Sequence, residues 1–236
     1  YRYNQGRKIK LQNFRLFGEG TFLVGKTLPN YSEEMRLRLD GFDLIAGVDE
    51  VGRGPLAGPV TAAAVVLDPD KIPAGLNDSK KLSAKKREIA YVQIMESSFV
   101  GIAHVSVKEI DRINILQASL LAMARSLSLL KRQPDFALID GNKIPRGLPF
   151  PAKALVKGDN KSLSVAAASI VAKISRDRLM AELSVLNPGY GWEKNAGYPT
   201  KEHLFALRYI GVTPHHRLSF KPVHKILYNE SEGKNK

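Results

Sequence analysis

Five apolar runs, each closed by a polar or glycine-containing turn, set the rhythm of the chain. Leu44 to Asp49 predicts a first strand, and Val60 to Leu67, with Ala62, Ala63, Val65 and Val66, predicts a second strand buried on both faces. Phe99 to Val107 predicts a third, Phe136 to Asp140 a fourth, and the run from Ala154 to Asp159 a fifth. Between and after them the period changes. Ser32 to Leu39 suits a short helix, and Ser83 is placed to cap a second one through about Ser97 with Ile89, Val92 and Met95 along one side. Ile113, Leu116, Leu120, Met123, Ala124, Leu127 and Leu130 keep the three-and-four spacing of an amphipathic helix, which reads as core rather than as a cofactor site. The stretch from Ser162 through Ile174 is apolar nearly all round and rich in small side chains, so it should pack closely on a sheet and continue as a helix to Leu186. A last short helix is expected around Glu202 to Tyr209. Strands alternating with helices imply an α/β protein with a mixed or parallel sheet.

Three of the runs end in the same way. Asp49-Glu50, Asp140 and Asp159 each stand at or next to a predicted strand end, with Gly52, Gly141 and Gly158 beside them. If the strands are neighbours, four carboxylates converge on one edge of the sheet. The segment Val51-Gly52-Arg53-Gly54-Pro55 follows the first pair, and its glycines let main-chain N–H groups approach a sugar or phosphate that a side chain would keep away. An isolated Asp-Glu pair before a turn also arises where a strand merely ends in solvated acids, so the pair alone does not define a site. Gly52-x-Gly54 lacks dinucleotide-loop spacing, no Gly-Lys-Ser/Thr closes a phosphate loop, and no Gly-x-Ser-x-Gly elbow is present.

Charge and composition narrow the chemistry. The formal net charge of +13 over 236 residues makes a polyanion the natural partner. The absence of cysteine removes disulfides, thiolate zinc sites and cysteine nucleophiles. No run approaches the eighteen or more apolar residues of a membrane span, and a cytosolic, monomeric protein without membrane association is expected. Tyr1 to Lys26 carries six basic residues against the single acid Glu19, so residues 1–40 read as a basic extension, either a nucleic-acid arm or a solvated tail, ahead of a main domain over 41–236. Lys80 and Lys81 precede the second helix and are candidates for phosphate contact, although a bare lysine pair equally suits a solvated face. Four carboxylates without thiols suit Mg²⁺ or Mn²⁺, hard ions that take oxygen ligands, and a pair of such ions can drive phosphodiester hydrolysis. A glycosidase carboxylate pair finds no support in so basic a chain. From spacing alone a metal-dependent nuclease and a non-catalytic nucleic-acid-binding module both stand. Aromatic, histidine and basic residues interleave from Tyr190 to Phe220, as in nucleic-acid grooves, although loop aromatics more often pack inward.

From about Ile45 to Val223 the residues resemble the bacterial ribonuclease HII group of the type 2 ribonuclease H family. The likeness runs in order through Ala46-Gly47-Val48-Asp49-Glu50-Val51-Gly52-Arg53-Gly54-Pro55-Leu56-Ala57-Gly58-Pro59, Asn77-Asp78-Ser79-Lys80-Lys81-Leu82, Asn114-Ile115-Leu116-Gln117-Ala118, Ile139-Asp140-Gly141-Asn142 and Lys157-Gly158-Asp159. It continues through Ala166 to Lys173, Arg176-Asp177, Gly197-Tyr198-Pro199-Thr200 and His216 to Phe220. The resemblance implies a ribonuclease H-like fold, a mixed five-stranded sheet flanked by helices, with a helical C-terminal part that helps grip a duplex. It implies an endonuclease that cuts the RNA strand of RNA–DNA hybrids and nicks DNA beside an embedded ribonucleotide, leaving a 5′-phosphate and a 3′-hydroxyl. By matching position, Asp49, Glu50, Asp140 and Asp159 correspond to the metal-binding acids. Gly52, Arg53 and Gly54 correspond to the element that reads the ribose 2′-hydroxyl, Tyr198 to the ring that stacks on the adjoining sugar, and Lys80 and Lys81 to phosphate contacts. A non-catalytic nucleic-acid-binding module and another nuclease of the same fold are the alternatives. Ala196 and Asn160 depart from the family pattern, where lysine and a small residue are commoner. Arg176 and Asp177 are expected to pair with each other at the end of a helix.

Overall fold

The computed structural model describes residues 28–229, so most of the basic extension lies outside the described residues. In chain order the elements are α1 (Ser32–Leu39), β1 (Ile45–Val51), β2 (Val60–Leu67), α2 (Ala84–Ser97), β3 (Ser98–Val105) and α3 (Val107–Ser128). They continue with β4 (Phe136–Asp140), β5 (Ala152–Leu155), a 3-10 turn at Gly158–Asn160, α4 (Leu163–Leu186), α5 (Trp192–Asn195), α6 (Lys201–Tyr209) and α7 (Lys221–Asn229). The five strands form one sheet in the order β3-β2-β1-β4-β5. β1 pairs antiparallel with β2, and β2 with β3, whereas β1–β4 and β4–β5 are parallel. The mixed sheet expected from the family likeness is therefore present.

Both faces of the sheet are covered, which is why β2 reads as an unbroken apolar run and is buried throughout. Ala46, Val48, Ala62, Ala64, Val66 and Ile139 pack with Ala118, Ala122, Met123 and Leu127 of α3 on one side. Ala63, Val65 and Leu67 pack with α2 and the alanine-rich α4 on the other. The small side chains of α4 permit very close approach: a Cβ on Gly47 would stand 2.1 Å from the Ser164 carbonyl carbon. Helix starts follow local chemistry. Ser83, Ser162 and Thr200 accept hydrogen bonds from the backbone of Lys86, Val165 and His203, and Ser106 with Glu109 forms a capping box on α3.

Four sequence expectations change. α2 forms where Ser83 predicts it, but Ala90 and Ile94 are its buried residues, while Ile89, Val92 and Met95 are exposed; the small alanine seats the helix one step round from the bulkier stripe. α3 begins at Val107 rather than near Ile113, and Asn114 breaks it with φ 65° and ψ 164°, its side-chain oxygen accepting from the N–H groups of Leu116 and Gln117. Asp159 is not at a strand end. β5 stops at Leu155, Lys157 takes a left-handed conformation, and the acid sits in the 3-10 turn. Arg176 and Asp177 do not pair with each other. Asp177 accepts from Lys173 one turn back at 2.8 Å, and Arg176 is buried in mid-helix with main-chain carbonyls as partners.

Candidate active site

The parallel pairing of β1 and β4 matches Val48 with Ile139, which brings the next residues, Asp49 and Asp140, side by side just past the last β1–β4 pair. Asp140 closes β4, whereas β1 runs on through Glu50 to Val51 in its pairing with β2, beyond the strand end that the sequence predicts at Asp49. One carboxylate oxygen from each of Asp49, Glu50 and Asp140 lies within 4.8 Å of the others. Asp159 joins them in lining a cleft of about 410 Å³, with Gly52, Arg53, Gly54, Lys80 and Tyr198 on its walls. The Gly158 N–H donates to Asp140 at 2.7 Å, tying the 3-10 turn to the strand end, and the Glu50 N–H donates to Asp49 at 2.7 Å. Burial pushes the Asp49 carboxyl well above the usual range, and repulsion from Asp140 and Glu50 adds to it. Burial also raises Glu50, against the opposing effect of Arg53, whose guanidinium lies 3.1 Å away. Asp159 is raised by burial and then by Asp78 and Asp140. Such a set is stabilised by a cation.

Lys80 faces the cleft, whereas the Lys81 ammonium is hydrogen-bonded to the side chain of Asn160. Tyr198 is exposed, and a Cβ on Gly54 would come within 3.3 Å of its ring. Ser79, Ser169 and Lys173 also line the cleft and escaped the sequence reading. Ser169 and Lys173 are four residues apart, one helical turn, so their shared side of α4 was the available signal.

The loop that follows β1 is built from behind by two arginines. Arg176 donates to the carbonyls of Pro59, Ala57 and Ala196; Arg217 donates to those of Gly58, Arg53 and Gly52. Both are buried, with no carboxylate in ion-pair distance among the described residues, and burial lowers them to about 10 and about 9, still charged at neutral pH. Gly52 has φ +89°, and a Cβ there would lie 2.1 Å from Arg176 Nε, so both the backbone and the space demand glycine. With the carbonyls of Gly52 and Arg53 engaged from behind, the N–H groups of Gly52, Arg53 and Gly54 have no hydrogen-bond partner among the described residues. Sequence reasoning found the loop but not its support, because an arginine bonded to carbonyls leaves no charge pattern in the sequence.

Of the interleaved C-terminal aromatics and histidines, Tyr190, Trp192, His203 and His216 pack inward, while Tyr198, Phe205 and Tyr209 are exposed. Trp192 Nε1 donates to His203 Nε2 at 3.1 Å, His216 Nε2 lies 3.1 Å from the same atom, and Tyr190 stacks on Trp192. His203 Nδ1 lies 2.9 Å from the Tyr198 carbonyl, and His216 Nδ1 accepts from the Thr213 N–H at 2.9 Å. This arrangement has room for one proton on each ring. Burial, reinforced by His203, lowers His216 to about 3. The unfolded chain binds a proton at this histidine near its ordinary value of 6.5, so stability is lost as pH falls from about 6.5 towards 3. The raised carboxyls oppose that trend, so the prediction concerns a difference. Thermal unfolding at pH 7 and pH 5 should show the parent losing about 2 kcal/mol more than His216→Gln. Parallel pH dependence in the two proteins would show that His216 is protonated in the fold.

The strand order and the acids gathered where the pairing of β1 with β4 ends define a ribonuclease H-like enzyme. The chain matches the Ribonuclease HII family model over residues 46–223. It is 64% identical over 206 residues to Ribonuclease HII of Ruegeria pomeroyi, covering 87% of this chain and 88% of that one. Among solved structures, ribonuclease H2 from Pyrococcus horikoshii superposes with a TM-score of 0.67 at 28% identity, covering 82% of this chain and all of that one. Bst-RNase HIII, described in complex with Mn²⁺, superposes with a TM-score of 0.64 at 23% identity over 80% of this chain and 70% of that one. The chain belongs to the ribonuclease HII family. Among the described residues no helix is long and apolar enough to cross a membrane.

Proposed function

We propose that this protein is a Mg²⁺- or Mn²⁺-dependent endonuclease that hydrolyses the RNA strand of RNA–DNA hybrids and nicks DNA at embedded ribonucleotides. Its products are a 5′-phosphate and a 3′-hydroxyl, and two ions serve the reaction. The observation that carries this reading is one cleft holding both the carboxylate cluster and the unpartnered amides of Gly52, Arg53 and Gly54. An oxygen-only donor set with a buried, mutually repelling carboxyl fits a hard divalent cation, and Asp49, Glu50, Asp140 and Asp159 would hold it. Bound there, the ions supply an activated water and neutralise charge on the leaving oxygen. The description of Bst-RNase HIII with Mn²⁺ supports the choice of ion.

The chain's own residues do the selecting. The free amides donate to a 2′-hydroxyl, a group that deoxyribose lacks. Tyr198, exposed above Gly54, stacks on the neighbouring sugar, and Lys80 neutralises a backbone phosphate beside the acids. We place the enzyme in the cytosol as a monomer. The net charge of +13 supports a duplex substrate and predicts binding that weakens with salt.

The test is cleavage of a labelled DNA duplex carrying one ribonucleotide, beside an all-DNA control, with Mg²⁺, Mn²⁺ or chelator. A nick at the ribonucleotide that needs metal, with the control intact, is expected. Binding without cleavage under either ion would replace the enzyme by a binding module, and equal cutting of the control would replace it by a nuclease of other specificity.

A further inference from the structure

The acids Asp140 and Asp159 are held against a support that lies outside the family match, in α1. Glu34 of this helix is fully buried, with no cation in ion-pair distance among the described residues. A single carboxylate oxygen accepts three hydrogen bonds: from Ser162 Oγ at 2.6 Å, from the Ser164 N–H at 2.9 Å and from Ser164 Oγ at 2.7 Å. Its second oxygen has no hydrogen-bond partner among the described residues. Burying a carboxyl this way is costly unless the charge meets a compensating field, and the first turn of the 24-residue α4 supplies one. Ser162 is also the N-cap of α4. Its hydroxyl proton goes to Glu34, which leaves a lone pair to accept from the Val165 N–H at 3.2 Å.

The same junction is held at two further points. The Leu163 N–H donates to the Asn30 carbonyl at 3.2 Å and the Asn30 N–H to the Lys161 carbonyl at 3.4 Å, while Lys153 of β5 ties α1 to the sheet by pairing with Glu33 at 2.8 Å. From the junction the connection to the acids is short. The Ser162 N–H donates to the Gly158 carbonyl at 2.8 Å, Gly158 donates to Asp140 at 2.7 Å, and Asp159 is the next residue. Lys157 just before it is held with φ +57°, so the turn keeps a conformation that its own sequence does not favour.

We infer that Glu34 is a positioning residue for the metal-binding acids: by bonding the first turn of α4 it fixes the 3-10 turn that carries Asp159 and holds Asp140. This inference rests on the proposed reading of those acids as metal ligands. It also gives the last part of residues 1–40 a task unrelated to nucleic-acid binding.

The experiment measures Mn²⁺ binding directly, by the loss of the free-ion paramagnetic resonance signal, in full-length parent, Glu34→Ala, Glu34→Gln and Asp159→Asn. Thermal unfolding and amide exchange are recorded in parallel. The expected result is Mn²⁺ binding weakened roughly five- to tenfold in Glu34→Ala and less in Glu34→Gln, which keeps an acceptor oxygen. Faster exchange at Ser164 and Val165, with β2 and β3 unchanged, should accompany it. A lowered melting temperature with Mn²⁺ binding as in the parent would mean that Glu34 serves stability alone, and would overturn the inference. If Glu34→Ala does not fold, Glu34→Gln carries the same comparison. Should Asp159→Asn itself bind Mn²⁺ as the parent does, the assignment of Asp159 fails; weakening in Asp159→Asn but in neither Glu34 variant fails Glu34 alone.

Discussion

Replacing Asp140 with asparagine is expected to slow cleavage at a ribonucleotide by at least roughly a thousandfold, about 4 kcal/mol of transition-state stabilisation, while duplex binding and folding survive. The asymmetry follows from geometry. Asparagine keeps an oxygen to accept from the Gly158 N–H, so the 3-10 turn stays anchored. It removes one of the charges that raise the Asp49 carboxyl, which lowers the electrostatic cost of the folded site. What disappears is one anionic oxygen among the three gathered within 4.8 Å. Rates, hybrid affinity and melting temperature measured on the same preparation separate these effects. Cleavage within tenfold of the parent would mean that the metal is held by a different set of acids.

The second large effect is on stability, and it comes from a residue that touches no substrate. Arg217→Met leaves the carbonyls of Gly52, Arg53 and Gly58 without their donor in a buried place. At about 1–3 kcal/mol for each unsatisfied group, reduced by the relief of repulsion with Arg176, the loss should be roughly 2–6 kcal/mol. For a chain of this size that lowers the melting temperature by roughly 5–20 °C. Arg217→Lys should rescue little, since an ammonium does not reproduce a fork that spans three carbonyls. In the surviving folded fraction the preference for ribonucleotide-containing over all-DNA duplex should fall, because the amides of residues 52–54 are no longer held outward. A melting temperature within about 2 °C of the parent would show that the loop holds itself.

The parts of this site that were legible in the sequence are those written locally. An apolar run that leads into an acid and a glycine puts the acid on or near the end of a strand whatever the fold around it, so Asp140 closes β4 as read, while Asp49 and Glu50 lie in the last residues of β1, which runs on to Val51. A serine cap is local in the same sense, and Ser83 starts its helix as read. The geometry of Asp159 was not legible: the run from Ala154 looks like another strand, and only the left-handed Lys157 and the contacts to α4 turn it into a 3-10 segment. Nor were Glu34, Arg176 and Arg217. Arg176 and Arg217 act through main-chain carbonyls, which have no side-chain identity to read, and the serine partners of Glu34 lie more than 100 residues away in the chain. The exposed stripe of Ile89, Val92 and Met95 failed for a related reason, since residue size and not periodicity decided which side of α2 faced the sheet.

The contact between Gly47 and Ser164 has a bearing on how this scaffold could be re-engineered. Any side chain at position 47 would have to push α4 off β1 by about an ångström, and α4 carries Ser169 and Lys173 into the cleft five to nine residues further on. The spacing of the working parts is thus gauged by a shim of zero thickness where no chemistry occurs. A designer wishing to retune the enzyme should vary the cleft walls and leave that shim alone; one wishing to loosen the cleft without touching any acid should begin there.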